Sequence, residues 1–105
     1  MEWYRDLYLD GVGQKEAERM RKNAESGKRM RRGVFIVIGA SGKHPLELIP
    51  AKEMQRPYVR ENIRLVAGIA NGRDGALRIA EKIVTEVYAG TGGFDFTEFG
   101  GARVS

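Results

Sequence analysis

Five consecutive apolar residues, Val34-Phe35-Ile36-Val37-Ile38, stand between Gly33 and Gly39, and no other stretch restricts the fold so tightly. Four of the five are β-branched, which favours extended backbone. The run does not alternate with polar residues, so the strand it predicts is buried on both faces. Such a strand needs neighbours at both edges and a layer over each face. The expectation is therefore an α/β domain with a small sheet covered by helices.

A second strand is expected near residues 63–68, within the stretch 62–70, where Ile63, Leu65, Ala67 and Ile69 alternate onto one face. Residues 72–89 then read as a long amphipathic helix. Ala76, Ile79, Ala80, Ile83 and Val87 mark its apolar face, flanked by Leu77, Val84 and Tyr88, while Arg78, Glu81, Lys82, Thr85 and Glu86 face water. Asn71 is placed to cap it and Gly90 to end it. Upstream, residues 13–32 hold no Pro and offer opposite charges at helical spacing in Glu18–Lys22 and Glu25–Arg29, which predicts a basic N-terminal helix that Gly27 would interrupt. Residues 1–12 read as a helical turn or anchoring arm carrying Trp3, Tyr4, Leu7, Tyr8 and Leu9. Between the two strands, residues 45–54 are ambiguous: Leu46 and Leu48 alternate like a strand, whereas Leu46, Ile49 and residues 51–54 suit a short helix or turn, which is favoured over 46–54 as the crossover, with Pro50 against either continuation. That crossover would make residues 34–38 and 63–68 parallel neighbours in a βαβ unit.

Two strands do not make an independent sheet. The sheet is expected to be completed by another segment, residues 46–49 or the alternating Phe94, Phe96 and Phe99, or by a second subunit. The whole reads as a single α/β domain over 1–105, with an arm at 1–12 and a frayed tail at 100–105.

The sequence from Asp6 to Leu9, together with Gly68-Ile69-Ala70-Asn71-Gly72, Ala76-Leu77, Ile83-Val84, Glu86-Val87-Tyr88 and Thr91-Gly92-Gly93-Phe94-Asp95, resembles a family of small bacterial proteins to which no activity attaches. The resemblance spans most of the chain. It implies the same layout, a basic helix followed by an apolar strand, and it transfers no functional residue.

Composition narrows the chemistry. The chain has 105 residues, no Cys and one His, so thiolate nucleophiles, disulfides and multi-histidine metal centres are not expected. No apolar run approaches the roughly 20 residues of a membrane span, and the first residues lack a signal-peptide pattern, which predicts a cytoplasmic protein without a membrane partner. The formal charge of +4 is uneven. Residues 15–32 carry eight basic side chains against three acidic ones, and the rest nearly cancels.

Three candidate sites follow. Gly39-Ala40-Ser41-Gly42-Lys43 leaves the buried strand as a glycine-containing loop with a lysine, a setting in which backbone N–H groups cradle an anion. The phosphate-loop pattern G-x-x-x-x-G-K-[ST] is not met, because only two residues separate Gly39 from Gly42 and His44 replaces the hydroxyl. Asn71, Gly72 and Arg73 form the second turn, at the start of the long helix. If the strands are parallel, Gly39, Ser41, Gly42, Lys43, Asn71, Gly72 and Arg73 converge on one small anionic ligand at the carboxyl ends of the strands. The third candidate is nucleic-acid contact by Arg19, Lys22, Lys28, Arg29 and Arg32, without aromatic side chains for base stacking. His44 has no catalytic partner, no carboxylates are paired at a defined separation, and Ser41 lacks the G-x-S-x-G elbow. With no catalytic residues, cofactor or metal ligands to assign, the expectation is a non-catalytic, homo-oligomeric binding or interaction module. Anion or nucleotide binding through loops 39–43 and 68–74, and nucleic-acid binding through residues 15–32, are its alternatives.

Overall fold

The apolar run forms β2 (Val34–Ile38) and lies inside the sheet, as its lack of alternation requires. The computed structural model describes residues 1–39 and 45–91. Around β2 the chain forms β1 (Glu2–Asp10), α1 (Gln14–Ser26), β3 (Leu46–Pro50), a 3-10 turn (Ala51–Gln55), α2 (Pro57–Asn62), β4 (Leu65–Ala70) and α3 (Arg73–Thr91). The described strands make one mixed sheet in the order β1-β4-β2-β3, with β1 parallel to β4 and β2 antiparallel to both β4 and β3.

Each face of the sheet has its own core. On one face, Ala17, Met20 and Ala24 of α1 pack with Trp3, Phe35, Val37, Met54, Val66 and Ile69. On the other, Ala76, Ile79, Ile83 and Val87 of α3, spaced at i, i+3, i+7 and i+11, cover Tyr4, Ile36, Ile38, Leu65 and Ala67. The long helix is thus present, one residue later at its start than expected. It runs through Gly90, whose φ is not positive, to Thr91. Leu77 and Tyr88, read as flanks of its apolar face, are about half exposed at 47% and 54%.

Four expectations are corrected. Residues 2–10 are an edge strand, not a helical arm. Their pairing with β4 jumps from Trp3↔Val66 to Tyr8↔Gly68, so the strand bulges between them and its apolar residues fall at spacings of 3 and 4 that imitate a helix. The short helix or turn favoured over residues 46–54 is confined to the turn at 51–55; residues 46–50 form β3, the alternative in which 46–49 extend the sheet, paired in uninterrupted register with β2 from Val34↔Pro50 to Ile38↔Leu46. Because this hairpin reverses the chain once more than a crossover would, β2 and β4 are antiparallel neighbours, from Val34↔Ala70 to Ile38↔Leu65. The fourth correction concerns the extent of α1, which does not resume after the interruption expected at Gly27 and so ends at Ser26, not at Arg32. Gly27 takes a left-handed φ of 73°, and the N–H groups of Gly27 and Lys28 donate to the carbonyls of Ala24 and Asn23. Lys28, Arg29 and Arg32 therefore lie beyond the helix. The third sheet segment expected at Phe94–Phe99, and the tail at 100–105, lie outside the described residues.

In β4 the pairing steps from Gly68 to Val66 opposite adjacent β2 residues, Ile36 and Val37, which leaves one extra residue on β4. This β-bulge puts Ala67 and Gly68 on the same side of the sheet and sends Ile69 to the α1 face, against the simple alternation of 63, 65, 67 and 69. A Cβ on Gly68 would lie 2.9 Å from the Tyr8 carbonyl oxygen and 3.1 Å from Ile79 Cγ2, so β1, the bulge and α3 close together only around a glycine.

Candidate functional site

The parallel strands β1 and β4 end side by side, and the chain enters α3 from there. The Asn71 N–H donates to the Asp10 carbonyl at 2.9 Å, tying the two strand ends together. Gly11, at φ 72°, brings its Cα against Asn71. The Ala76 N–H donates to the Gly72 carbonyl, so Gly72, not Asn71, stands at the helix entry. These residues, with Arg73, Asp74, Gly75 and Arg78, line a crevice of about 350 Å³.

Its centre is an ion pair internal to the chain. Arg78 donates from Nε and Nη2 to the two oxygens of Asp10, both at 2.9 Å. The Asp10 carboxylate packs so closely on the first turn of α3 that a Cβ at Gly75 would lie 2.8 Å from Oδ1. The positive end of the helix thus already has an anion beside it, supplied by the protein. The hydrogen bonds from Arg78 hold the Asp10 carboxyl below the ordinary carboxylate value; desolvation, the next largest influence, opposes them, and the charges of Arg78 and Lys82 add to the lowering. Arg78 is raised in turn, first by the hydrogen bonds to Asp10 and then by its charge. A carboxylate moved away from neutrality is poorly suited to acid–base work near pH 7. The geometry suits a clamp between β1 and α3.

This clamp has a signed pH dependence. The folded-state pKa of Asp10 is depressed, so its contribution to stability is fully present above the unfolded value of 3.8 and is lost as pH falls through the lower folded value. Thermal melts of wild type and Asp10→Asn are expected to differ by a constant margin near neutrality and to converge below pH 3.8. A margin that survives full acidification would mean that Asp10 acts by something other than its charge.

Of the seven residues expected to share an anion, the four that are described, Gly39, Asn71, Gly72 and Arg73, do not share one end of the sheet. Asn71, Gly72 and Arg73 lie where β4 ends and β2 begins. Gly39 lies beyond the far end of β2, against Arg64, with its N–H on the Pro45 carbonyl. A five-residue strand, about 17 Å long, separates the two groups. Antiparallel pairing is the reason. Ser41, Gly42 and Lys43 lie outside the described residues, as does His44. Of the nucleic-acid candidates, Arg19 and Lys22 are on the exposed face of α1, with Arg19 3.9 Å from Glu16. Lys28, Arg29 and Arg32 are on the segment that follows.

The sequence reading missed the outer edge of β3. The Ala51 N–H donates to the Gly33 carbonyl and the Gly39 N–H to that of Pro45, so these residues face β2. Hydrogen-bonding direction alternates along a strand. Glu47 and Ile49 therefore bond toward β2, whereas Leu46, Leu48 and Pro50 turn their backbone groups outward. Among the described residues no strand pairs with this outer edge, which offers two N–H donors, from Leu46 and Leu48, and three carbonyls, Pro50 having no N–H. Beside it runs a largely apolar groove of about 310 Å³ between β3 and the Tyr58, Val59 and Asn62 side chains of α2. Leu46 and Leu48 are half-buried and Tyr58 is 58% exposed. The available signal was the pair of prolines bracketing the alternating Leu46-Glu47-Leu48, since proline in sheets is confined to edges and strand ends.

Compared with protein-family models, curated proteins and solved structures, the chain matches none.

Proposed function

We propose that this chain is a non-catalytic interaction module that self-associates through the open edge of β3. The observation that carries the reading is the pattern of outward-facing groups on that edge. Two copies related by a two-fold axis can set their β3 strands antiparallel with Leu48 opposite its equivalent. Each Leu48 N–H then donates to the other Leu48 carbonyl, and each Leu46 N–H donates to the other Pro50 carbonyl. Every outward donor finds an acceptor, and the N–H that Pro50 lacks is not needed. In this register Glu47 faces Ile49 of the second copy, so no like charges stand directly opposite.

The other outer strand, β1, supports the choice by contrast. Its register with β4 is broken, and an interrupted, bulged edge is a poor template for strand addition. β3 is regular along all five residues. Pairing there would extend the sheet through the axis and cover the half-exposed Leu46 and Leu48.

Sedimentation velocity at micromolar concentration tests this. Wild type is expected to sediment as a dimer. Leu48→Pro removes an N–H that points away from β2 and is expected to give a folded monomer, since proline is tolerated where the strand N–H faces outward. Leu48→Ala keeps that N–H and is expected to remain dimeric with weaker affinity. A monomeric wild type, or a Leu48→Pro variant as dimeric as wild type, would reject the edge as the contact.

A further inference from the structure

The segment between α1 and β2 carries Lys28, Arg29, Arg31 and Arg32 around a single apolar residue, Met30, which is buried in the core beneath α1. The four cations are exposed. Among the described residues none of them belongs to an ion pair, and two acidic side chains on the flanking elements, one on α1 and one on the 3-10 turn, are engaged elsewhere. Glu25 lies 3.5 Å from Arg21, and Glu53 lies 3.3 Å from Arg56. The segment is fixed at both ends. At its start Gly27 lies against the guanidinium of Arg60, which donates to the Met54 carbonyl. At its finish the Gly33 carbonyl accepts from the Ala51 N–H, one residue from the exposed Lys52. The result is a basic strap anchored by Met30 and bordered by two more cations.

We infer that this strap is a binding surface for the phosphate backbone of nucleic acid. Unpaired cations concentrated on one short, fixed segment are complementary to a regularly spaced chain of phosphates. The partner follows from what the strap lacks. Residues 13–33 contain no aromatic side chain to stack on bases, so contact is with the backbone and is indifferent to sequence. An anionic membrane surface is less well matched, because surface-lying segments insert exposed apolar side chains beside their cations, and here Met30 points inward. The surface is distinct from the outer edge of β3 and stands or falls without it.

Fluorescence anisotropy with a labelled 20-nucleotide single strand of mixed sequence provides the test, alongside sedimentation with phosphatidylserine vesicles. Four phosphate contacts predict about fifty-fold weaker binding between 50 and 200 mM salt. That figure is read on the wild-type chain and needs no variant to fold. The combined Arg29→Ala, Arg31→Ala, Arg32→Ala variant is expected to retain about a quarter of the salt slope, whereas removing charge at exposed Arg5 and Lys82 should leave the slope unchanged. A second strand of unrelated sequence should bind equally well. No binding at 50 mM salt, equal losses in both charge variants, or binding to vesicles alone would overturn the inference.

Discussion

Gly68→Val is expected to lower the melting temperature by roughly 15 °C, the equivalent of about 3 kcal/mol in a domain of this size. A side chain at residue 68 would meet the Tyr8 backbone oxygen at 2.9 Å, Tyr8 Cβ at 3.1 Å and Ile79 Cγ2 at 3.1 Å. One of these is main chain in the neighbouring strand and cannot rotate away. Relief requires β1 to move off β4 or α3 to lift from the sheet, and both uncover core. Gly68→Ala should show the same effect at smaller size. A valine variant melting within a few degrees of wild type would mean that the bulge relaxes and that the close approach of three elements is not structural.

Trp3→Ala should cost about 3–5 kcal/mol, a large part of the roughly 5–15 kcal/mol that holds a domain together. The indole is 2% exposed, meets Phe35 edge to face at a centroid distance of 6.1 Å, and carries the Arg21 guanidinium 5.1 Å above its ring. It joins the N-terminal strand to the central strand and to α1 at once, so truncation opens a cavity that none of the three can fill alone. Trp3→Phe should recover most of the loss. Denaturant unfolding measures both variants. If Trp3→Ala unfolds at the wild-type midpoint, residues 2–10 are an appendage and not part of the core.

That second experiment bears on what the sequence made legible. The apolar run of β2 and the i, i+3, i+7 pattern of α3 follow from burial of whole strands and single helix faces, and both are readable locally. β1 was not, because its register break displaces residues 4–7 from the period of two. Ile69 was assigned to the wrong face for a related reason: the bulge at Ala67 and Gly68 is created by pairing with other strands, not by anything within residues 62–70. β3 was legible only as one of two alternatives for residues 46–49, because Pro50 and a helix-like stretch immediately after it, which proved to be the 3-10 turn, favoured a helical crossover. Site geometry was less accessible still. The strand order and direction decide which loops meet, and one extra hairpin was enough to part Gly39 from Asn71. Sheet edges belong to the assembled fold, so an open edge could be read only after the order β1-β4-β2-β3 was known.

The self-association reading assigns different fates to neighbouring amides of one strand, and hydrogen exchange followed by NMR across a range of protein concentrations resolves them. The N–H groups of Glu47 and Ile49 bond to β2 and should be protected at every concentration. Those of Leu46 and Leu48 should be protected at high concentration and exchange progressively faster on dilution, as the paired edge separates. Rapid exchange of Leu46 and Leu48 at all concentrations would contradict the account.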